Sequence, residues 1–342
     1  MSDQDRLTQA PEGAARDCRL ADKVAWMRRS LGPRDEAIET HFAWVFLSGE
    51  RAWKLRKPVR RDPMDYSTLE ARRRDSEAEV RLNRRLAPDT YLGTRPLTRG
   101  PTGELAIGGD GDIVDWLVEM RRLDRGRMLD VMLAGGRVTA RDLRGVAALL
   151  ATFYANEAPA VTDGAMLDAR LRAQVTANHG VLTMLGDAAA GRLRDLQTAF
   201  LDEHRRWANE RAASGCIVEA HGDLRPEHIL LADPPAVIDC LEFDRNLRIL
   251  DRAEELEFLA LECGRIGHAA TGEQLARDCL ALLHDPVPVQ LQRFYRSHRA
   301  ATRAKLYVWR SSEPDDGSTT RWLATAREYL ELALEAAALP GS

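Results

Sequence analysis

The chain has 342 residues, enough to bury a sizeable core as one large bilobal domain or as two domains of ordinary size. Lys and Arg total 49 and Asp and Glu total 53, so the formal net charge of -4 argues against an overall field that would draw the protein to nucleic acid or to an anionic membrane. The cysteines are 5 in number, without a C-x-x-C pair, which argues against a disulfide framework or a zinc site and favours free thiols in a reducing compartment.

The N-terminal stretch 1–18 is polar and without periodicity, so we expect a disordered leader that carries no chemistry. It lacks the apolar core of a signal peptide, and the longest apolar run, 145–155, is too short to span a bilayer. These features predict a soluble, cytoplasmic protein.

The first structured elements are predicted to be a helix and a β-hairpin. Apolar residues recur at helical spacing from Leu20 to Leu31 and a Gly-Pro pair follows, so a packing helix should begin near residue 19 and end there. The stretch 37–59 alternates like two strands around a turn at 48–50. Lys54, on the return strand, could reach nucleotide phosphates, although a solvated lysine is the simpler interpretation and Lys57 lies close by.

A charged helix is predicted from the capping pattern of Ser67 and Glu70 as far as Leu86. Glu79 shares a face with the apolar side chains of this helix, so its carboxylate should need a cation. Lys54 is the candidate that would support a nucleotide site. Pairing with a nearby arginine is the alternative.

Residues 90–124 predict two further hairpins, with strands near 91–97, 104–107 and 113–120. The last of these strands leads through 116–123 into helical sequence and is expected to connect a β-rich half to a helical half. The glycines at 108–111 lack the G-x-x-x-x-G-K-[ST] pattern of a phosphate loop.

Helical patterning dominates after Asp124, which gives an α+β protein of two lobes, expected at 19–120 and 121–342. Helices are predicted at 143–154, 165–177, 191–213, 252–264, 272–284 and 289–338, the last broken near 311–317. The late helix is basic, which indicates a solvated surface or, as the weaker alternative, an anion-binding wall; its basic residues are Arg293, Arg296, Arg299, Arg303, Lys305 and Arg310. Asp251 begins a D-x-x-E capping pattern and is predicted to be structural.

The stretch 217–244 interrupts these helices with a predicted hairpin whose short apolar runs flank a Pro-Pro turn. Asp223 lies in the loop before the hairpin and Asp239 at its far end. Two carboxylates in this setting suit metal-assisted phosphoryl transfer, because one can orient a hydroxyl and the other can hold the ion.

These elements together resemble the aminoglycoside phosphotransferase-like branch of the protein-kinase-like fold. The resemblance covers roughly residues 35–310, with the H-G-D of 221–223 as catalytic loop and the I-D of 238–239 as metal element. The segment 40–97 looks similar to an uncharacterised bacterial subgroup of this family, often joined to a P-loop kinase domain, although no P-loop motif exists here.

The resemblance implies an ATP-dependent phosphotransferase that acts on a hydroxyl group of a small molecule and uses Mg²⁺, with Mn²⁺ as the alternative ion. It implies that Asp223 orients the hydroxyl, Asp239 binds the metal ion, Lys54 contacts the phosphates and Glu79 holds Lys54. The adenine contacts would come from the connection between the two halves, at Trp116, Val118, Glu119 and Met120.

One position departs from the family pattern: His228 stands where the family places a second metal-binding asparagine. Imidazole is a softer ligand than an amide oxygen and suits magnesium less well. Three interpretations remain open: His228 binds a less hard ion such as manganese, Glu227 or Glu242 supplies the oxygen, or metal binding and activity are weakened. A nucleotide-binding regulatory pseudokinase is therefore an alternative to the enzyme, and a protein Ser/Thr kinase is a third. His221 is expected to be structural.

Overall fold

The computed structural model describes residues 18–30, 32, 35–61, 64–160, 163–312 and 318–338. Residues 1–17 of the predicted leader, and residues 313–317 of the predicted break in the last helical run, lie outside the described residues. The chain divides into two compact units. The sheet unit comprises the chain up to Arg81 together with Asp89–Arg122, and the helical unit comprises Leu82–Pro88 and the chain from Leu123. The sequence prediction had kept 82–88 with the first lobe.

The sheet unit contains, in its described part, a six-stranded antiparallel sheet with the strand order β1-β2-β3-β8-β6-β7. The predicted hairpins β2–β3 and β6–β7 are confirmed, but the predicted pairing of β7 with β8 is wrong, because β8 pairs with β6 and leaves β7 at the edge of the sheet. Strands β4 and β5 form a separate short ribbon. The strands are β1 Glu36–Glu39, β2 Ala43–Ser48, β3 Arg51–Arg56, β4 Arg60–Arg61, β5 Met64–Asp65, β6 Tyr91–Arg99, β7 Leu105–Ile107 and β8 Asp112–Arg121.

One face of this sheet packs on the first helix, α1, Leu20–Arg29. Val24 and Met27 share a buried cluster with Leu55 of β3 and Leu117 of β8, which are direct cross-strand partners. Successive side chains of a strand point to opposite faces, so Lys54 projects from the other face of the sheet. The alternation of β3 therefore separates its core residues from its candidate phosphate ligand.

The second helix, α2, spans Leu69–Asn83. Its first turn is capped by Thr68, whose Oγ1 accepts a hydrogen bond from the Ala71 N–H at 3.1 Å. The predicted capping box is wrong, because the Ser67 hydroxyl donates to Asp65 at 2.5 Å and Glu70 pairs with Arg73 at 2.8 Å. The start of the helix is correctly predicted, although a different hydroxyl caps it.

The helical unit confirms the predicted helices and adds a short one, α3. The predicted helix 191–213 is divided at His204, where the backbone leaves helical geometry. The helices are α3 Leu129–Ala134, α4 Ala140–Asn156, α5 Gly164–Leu182, α6 Asp187–Glu203, α7 Arg205–Ala213, α8 Arg252–Arg265, α9 Ala269–Leu282, α10 Val289–Ser311 and α11 Thr319–Ala338.

Two short antiparallel ribbons lie among these helices and position the 217–244 stretch. Strand β9, Ile217–Glu219, pairs with β12, Ile249–Asp251, and strand β10, Ile229–Leu230, pairs with β11, Ala236–Val237. The β10–β11 ribbon is the predicted hairpin. Its apolar side chains are anchored in the main core of the unit, which fixes the loops at its ends.

Asp251 has the structural role that the sequence predicts. Its carboxylate caps α8 by accepting from the Ala253 N–H at 2.9 Å, and it also binds Arg211 and the Tyr295 hydroxyl. The predicted partner of the cap, Glu254, contacts His298 at 3.2 Å instead. The capping box is therefore only half formed.

All five cysteines are free thiols, and Cys216, Cys240, Cys263 and Cys279 are buried, in keeping with the packing role expected for Cys240 and Cys263. None of the helices in the described ranges combines the length and apolar character needed to cross a membrane.

Candidate active site

The catalytic-loop histidine, His221, is fully buried. Its Nε2 lies 2.9 Å from the Ile238 carbonyl oxygen and must donate, while its Nδ1 accepts from the Asp223 N–H at 3.3 Å. Burial lowers the pKa of His221 to about 4, so the ring is neutral at pH 7. His221 thus ties the loop to the end of the hairpin, as expected for a structural residue.

A carboxylate from α8 holds the same loop from its other side. The fully buried Glu255 accepts the backbone N–H of His221 at 3.0 Å, the N–H of Gly222 at 2.5 Å and the Tyr154 hydroxyl at 2.7 Å. Burial raises the pKa of Glu255, and these three donors oppose that effect. The main chain immediately before Asp223 is therefore fixed by a side chain more than thirty residues along the chain.

Gly222 is required at its position for two reasons. Its φ is +91°, in the left-handed region that favours glycine. A Cβ there would also come within 3.0 Å of Leu241 and 3.2 Å of Arg248. The G of the H-G-D element thus lets the loop turn tightly against its neighbours.

Asp223, the predicted base, has a side chain that is 20% exposed and is reached by Arg225, whose Nε donates to Oδ2 at 3.0 Å. Burial raises the pKa of Asp223, but nearby positive charge, led by Arg225, outweighs burial and lowers the pKa below its usual value. The carboxylate is ionised at neutral pH and already carries one cationic partner.

His228 lies between the two predicted catalytic carboxylates. Its Nδ1 donates to the Asp223 carbonyl oxygen at 2.8 Å, and its Nε2 faces the Asp239 carboxylate at 3.6 Å. Nε2 also accepts from Arg225 Nη2 at 3.1 Å. Asp239 has a φ of 64°, unusual for a residue other than glycine, and its side chain is 50% exposed. The structure thus brings Asp223, His228 and Asp239 together, as the sequence predicts.

Asp239 suits a divalent metal ion, whereas His228 suits it poorly. Within the described ranges, no group of three or more His, Cys, Asp or Glu side chains is arranged to hold a metal ion. Magnesium often uses one or two carboxylates together with water and phosphate oxygens, so the exposed Asp239 suits it. The lone pair of His228 Nε2 is directed at Arg225, so this nitrogen can bind an ion only if the guanidinium moves away.

The sheet unit contains the predicted pair of Lys54 and Glu79. Lys54 Nζ lies 2.9 Å from Glu79 Oε1, and the Glu79 side chain is 1% exposed. Arg56, two residues further along β3, approaches the other carboxylate oxygen at 2.5 Å. Lys57 instead pairs with the exposed Glu39 at 2.6 Å. The buried partner distinguishes Lys54 from Lys57, a choice that the sequence left open.

The residues predicted to bind adenine lie on β8, where the main chain pairs with β3 on one side and β6 on the other. Val118 is the direct partner of Lys54, so it shares a face with Lys54, as do Trp116 and Met120 by alternation. Glu119 points to the opposite face, where Arg95 binds it at 2.8 Å. The side chain of Glu119 is therefore turned away from Lys54, which the sequence prediction did not anticipate.

Sequence reasoning missed several residues around the candidate site. Arg225 stands two positions after Asp223, and this position was the only signal that could have identified it. Glu255 lies within an apolar helix face, where an acidic residue needs a buried donor. Arg56 belongs to the same strand as Lys54. The interpretation of the basic late helix as a solvated surface is wrong for Arg299 and Arg303, whose side chains are 11% and 13% exposed.

No protein-family model matches this sequence. Uncharacterised proteins of Mycobacterium tuberculosis and Mycobacterium bovis are each 32% identical to it over 321 residues. The alignment covers 90% of this chain and 62% of those relatives, so the chain spans less than two thirds of their length.

Solved structures match over most of their length. The GDP complex of wild-type aminoglycoside 2'-phosphotransferase-IIIa is 16% identical, with 92% of this chain and 98% of that chain covered and a TM-score of 0.55. A choline kinase from Cryptosporidium parvum is 10% identical, with 92% and 94% covered and a TM-score of 0.54. At these identities the likeness concerns the fold. This chain therefore has the α+β protein-kinase-like fold of the aminoglycoside phosphotransferases, as its sequence motifs predict.

Proposed function

We propose that the protein is an ATP-dependent phosphotransferase whose acceptor is a hydroxyl group of a small molecule. The observation that carries the proposal is the placement of Asp223 and Asp239 on two sides of one imidazole, with His228 contacting both residues. The similar solved structures are aminoglycoside and choline kinases, which act on small molecules and share the fold. Their activity as small-molecule kinases supports phosphoryl transfer to a small molecule as the reaction of this protein.

The proposed chemistry follows from the charges of the site. Asp223 accepts the proton of the acceptor hydroxyl, and the oxygen of that hydroxyl bonds to the γ-phosphorus of ATP. At the same time the bond between the γ-phosphorus and the β,γ-bridging oxygen breaks. ADP is the leaving group. Lys54 binds the α- and β-phosphates, and the buried Glu79 fixes its position. A magnesium or manganese ion, held by Asp239 with His228 as a second ligand, would neutralise phosphate charge.

For the adenine, we propose contacts with the side chains of Trp116, Val118 and Met120. Their main-chain groups are paired within the sheet, so these contacts depend on the side chains that share the face of Lys54. Glu119 makes none of these contacts in the proposal, because its carboxylate is bound by Arg95 and Arg51 on the other face.

A nucleotide-binding regulatory module is the second candidate function. Arg225 favours it, because this guanidinium binds the carboxylate of the proposed base and the proposed metal-binding nitrogen of His228 at the same time. A site with this contact permanently in place would bind nucleotide and transfer phosphate slowly. The two candidates agree on nucleotide binding and differ in turnover.

The first test measures binding. Purified protein with saturating ATP and either Mg²⁺ or Mn²⁺ should unfold at a higher temperature, since a ligand at about 100 times its Kd stabilises the native state by about 2.7 kcal/mol. GTP is the matched comparison, because one of the similar structures is a GDP complex. If neither nucleotide stabilises the protein with either metal, both candidate functions are overturned.

The second test measures turnover in the Asp223→Asn variant. Phosphate transfer, or slow ATP hydrolysis in the absence of an acceptor, should fall by roughly 100- to 10,000-fold, because the general base is lost while nucleotide binding remains. Asp233→Asn is the control, since Asp233 is 81% exposed and pairs with the exposed Arg141. Turnover that is equal in the two variants contradicts the role of Asp223. Nucleotide binding without any turnover in the wild type supports the regulatory module.

A further inference from the structure

Two arginines of α10 lie beside the candidate catalytic loop. Arg299 Nη2 donates to the carbonyl oxygen of Gly222 at 3.1 Å, and Gly222 immediately precedes Asp223. Arg303 is one helical turn further along the same face. We call Arg299 and Arg303 the arginine pair. Asp223 and Arg303 attract each other strongly enough that the charge of Asp223 helps to raise the pKa of Arg303, although burial lowers it.

The arginine pair is only loosely neutralised. Arg303 Nε lies 3.8 Å from Glu262, a carboxylate that also faces Arg265 at 3.6 Å and accepts from the Tyr329 hydroxyl at 2.6 Å. Arg299 lies 3.9 Å from Glu254, which binds His298 more closely, at 3.2 Å. In each case the carboxylate lies closer to another partner than to the arginine of the pair.

Hydrogen-bond donors of the pair are also unused. Within the part of the chain that the structure describes, the Nε atoms of both Arg299 and Arg303 are buried and lack a hydrogen-bond partner. A buried guanidinium N–H without an acceptor is costly, and a bound oxyanion is the group that a guanidinium satisfies best. The Nε atoms themselves are buried, but the side chains keep 11% and 13% of their surface exposed, and an acceptor would approach from that exposed part.

The aromatic rings around the arginine pair argue against a cationic acceptor. The Arg299 guanidinium lies 4.3 Å from the centre of the Phe258 ring, and that of Arg303 lies 5.2 Å from Tyr307 and 5.7 Å from Tyr329. Quaternary ammonium compounds are recognised by such rings. Here the rings are already in contact with arginines of the protein, which would repel a second cation.

We propose that the acceptor of the phosphoryl group is itself an anion, namely a hydroxyl compound that carries a phosphate or carboxylate group bound by Arg299 and Arg303. This inference rests on the proposed function. The anionic group binds the arginine pair, and a hydroxyl of the same molecule lies at Asp223, gives its proton to Asp223 and receives the γ-phosphoryl of ATP as ADP leaves. The acceptor class then differs from the cationic compounds named for the similar structures.

The test compares acceptors that differ mainly in charge. With ATP and Mg²⁺ or Mn²⁺, initial rates are measured for glycerol against glycerol 3-phosphate and glycerate, for glucose against glucose 6-phosphate and gluconate, and for choline and kanamycin. The anionic compounds should give a kcat/KM at least roughly tenfold above their neutral counterparts. The phosphate and carboxylate arms identify which anion is used. A higher kcat/KM for choline or kanamycin overturns the inference.

Binding is measured separately, so that the absence of turnover does not leave the inference undecided. With the nucleotide site saturated by a non-hydrolysable ATP analogue, titration calorimetry should detect glycerol 3-phosphate or glycerate. Arg303→Gln should weaken that binding by roughly 10- to 100-fold and leave the affinity for the analogue unchanged. Arg296→Gln is the matched control on the same helix, because Arg296 binds Glu257 and Glu273.

The outcomes separate the two proposals. If the ATP analogue fails to bind, the proposed function fails. If the analogue binds but none of the anions binds, or if Arg303→Gln and Arg296→Gln weaken the anion equally, only the anionic acceptor is overturned.

Discussion

At the scale of single residues, buried charge distinguishes candidate residues that look alike in the sequence. Lys54 and Lys57 are three residues apart and both are cationic, but only Lys54 has a buried carboxylate partner. A buried carboxylate such as Glu79 is stable only with cations, and Lys54 and Arg56 provide two. In the proposed function, the Glu79 carboxylate holds Lys54 in position for the phosphates.

Replacing Lys54 and Lys57 separately should show which of the two lysines contacts the phosphates of ATP. Lys54→Met should lower kcat/KM for ATP by roughly 100-fold, since a preorganised positive charge on the phosphates is lost. Lys57→Met should change kcat/KM by less than about twofold, as expected for a partner of an exposed carboxylate. Steady-state kinetics with varied ATP checks both, and an equal loss in the two variants would show that Lys54 has no special role.

The imidazole of His228 offers a second prediction at this scale. His228→Asn places an amide oxygen, a harder ligand, next to Asp239 and removes the nitrogen that accepts from Arg225. We expect kcat/KM with Mg²⁺ to rise several-fold and the preference for Mn²⁺ over Mg²⁺ to fall. The check is the ratio of rates with the two metals. A loss of activity with both would show that the imidazole itself is needed.

At the scale of elements, α8 organises the candidate site. It begins at the Asp251 cap, holds the catalytic loop through Glu255 and presents Phe258 and Glu262 to the arginines of α10. Its sequence pattern predicted a buried helix, but a helix with buried carboxylates on several faces needs partners from other elements. The acids of α8 therefore specify which loops and helices can pack around it.

The role of Glu255 is testable against another acid of the same helix. Glu255→Gln replaces one acceptor oxygen by an amide group facing backbone N–H donors, so the free energy of unfolding should fall by about 1–3 kcal/mol. Glu257→Gln, which weakens a buried pair with Arg296, should cost a similar amount. Only Glu255→Gln should lower kcat, measured well below the unfolding temperature of both variants. Equal kcat values for the Glu255→Gln and Glu257→Gln variants would show that Glu255 contributes only to stability.

At the scale of the whole molecule, the dependence of stability on pH reflects groups that are buried in one protonation state. His221 is neutral when folded and has a pKa lowered by burial from 6.5 to about 4. Between these two values the unfolded chain binds a proton that the native protein does not, so the native state is progressively destabilised as pH falls.

The contribution of His221 should be fully present above pH 6.5 and be lost as pH falls from 6.5 towards 4. Its size is about 3 kcal/mol in the free energy of unfolding, from the difference between the two pKa values. Denaturant unfolding at a series of pH values gives the slope, and an NMR titration gives the site. The imidazole signals of His221 should not shift between pH 7 and 5. A midpoint near 6.5 would contradict the prediction.

Local patterns in the sequence were sufficient to predict most of the elements, the pairing of Lys54 with Glu79 and the grouping of Asp223, His228 and Asp239. Strand alternation, helix periodicity and turn residues act over a few positions, and motif spacing fixes which loop carries each carboxylate. The capping contacts were less accurate, because the Ser67 hydroxyl donates to Asp65 and Thr68 caps the helix instead.

Only the tertiary structure decided the contacts that join distant positions. Glu255 binds the loop 33 and 34 residues before it, and Arg299 reaches Gly222 across 77 residues. Likewise the pairing of Val118 with Lys54 determines which side chains of β8 share the face of the lysine. Periodicity tells which face of an element is buried, but the identity of the partner depends on how the elements pack. The sequence by itself therefore determined the fold class and the candidate residues, and the packing of α8 and α10 determined the contacts of the loop that carries Asp223.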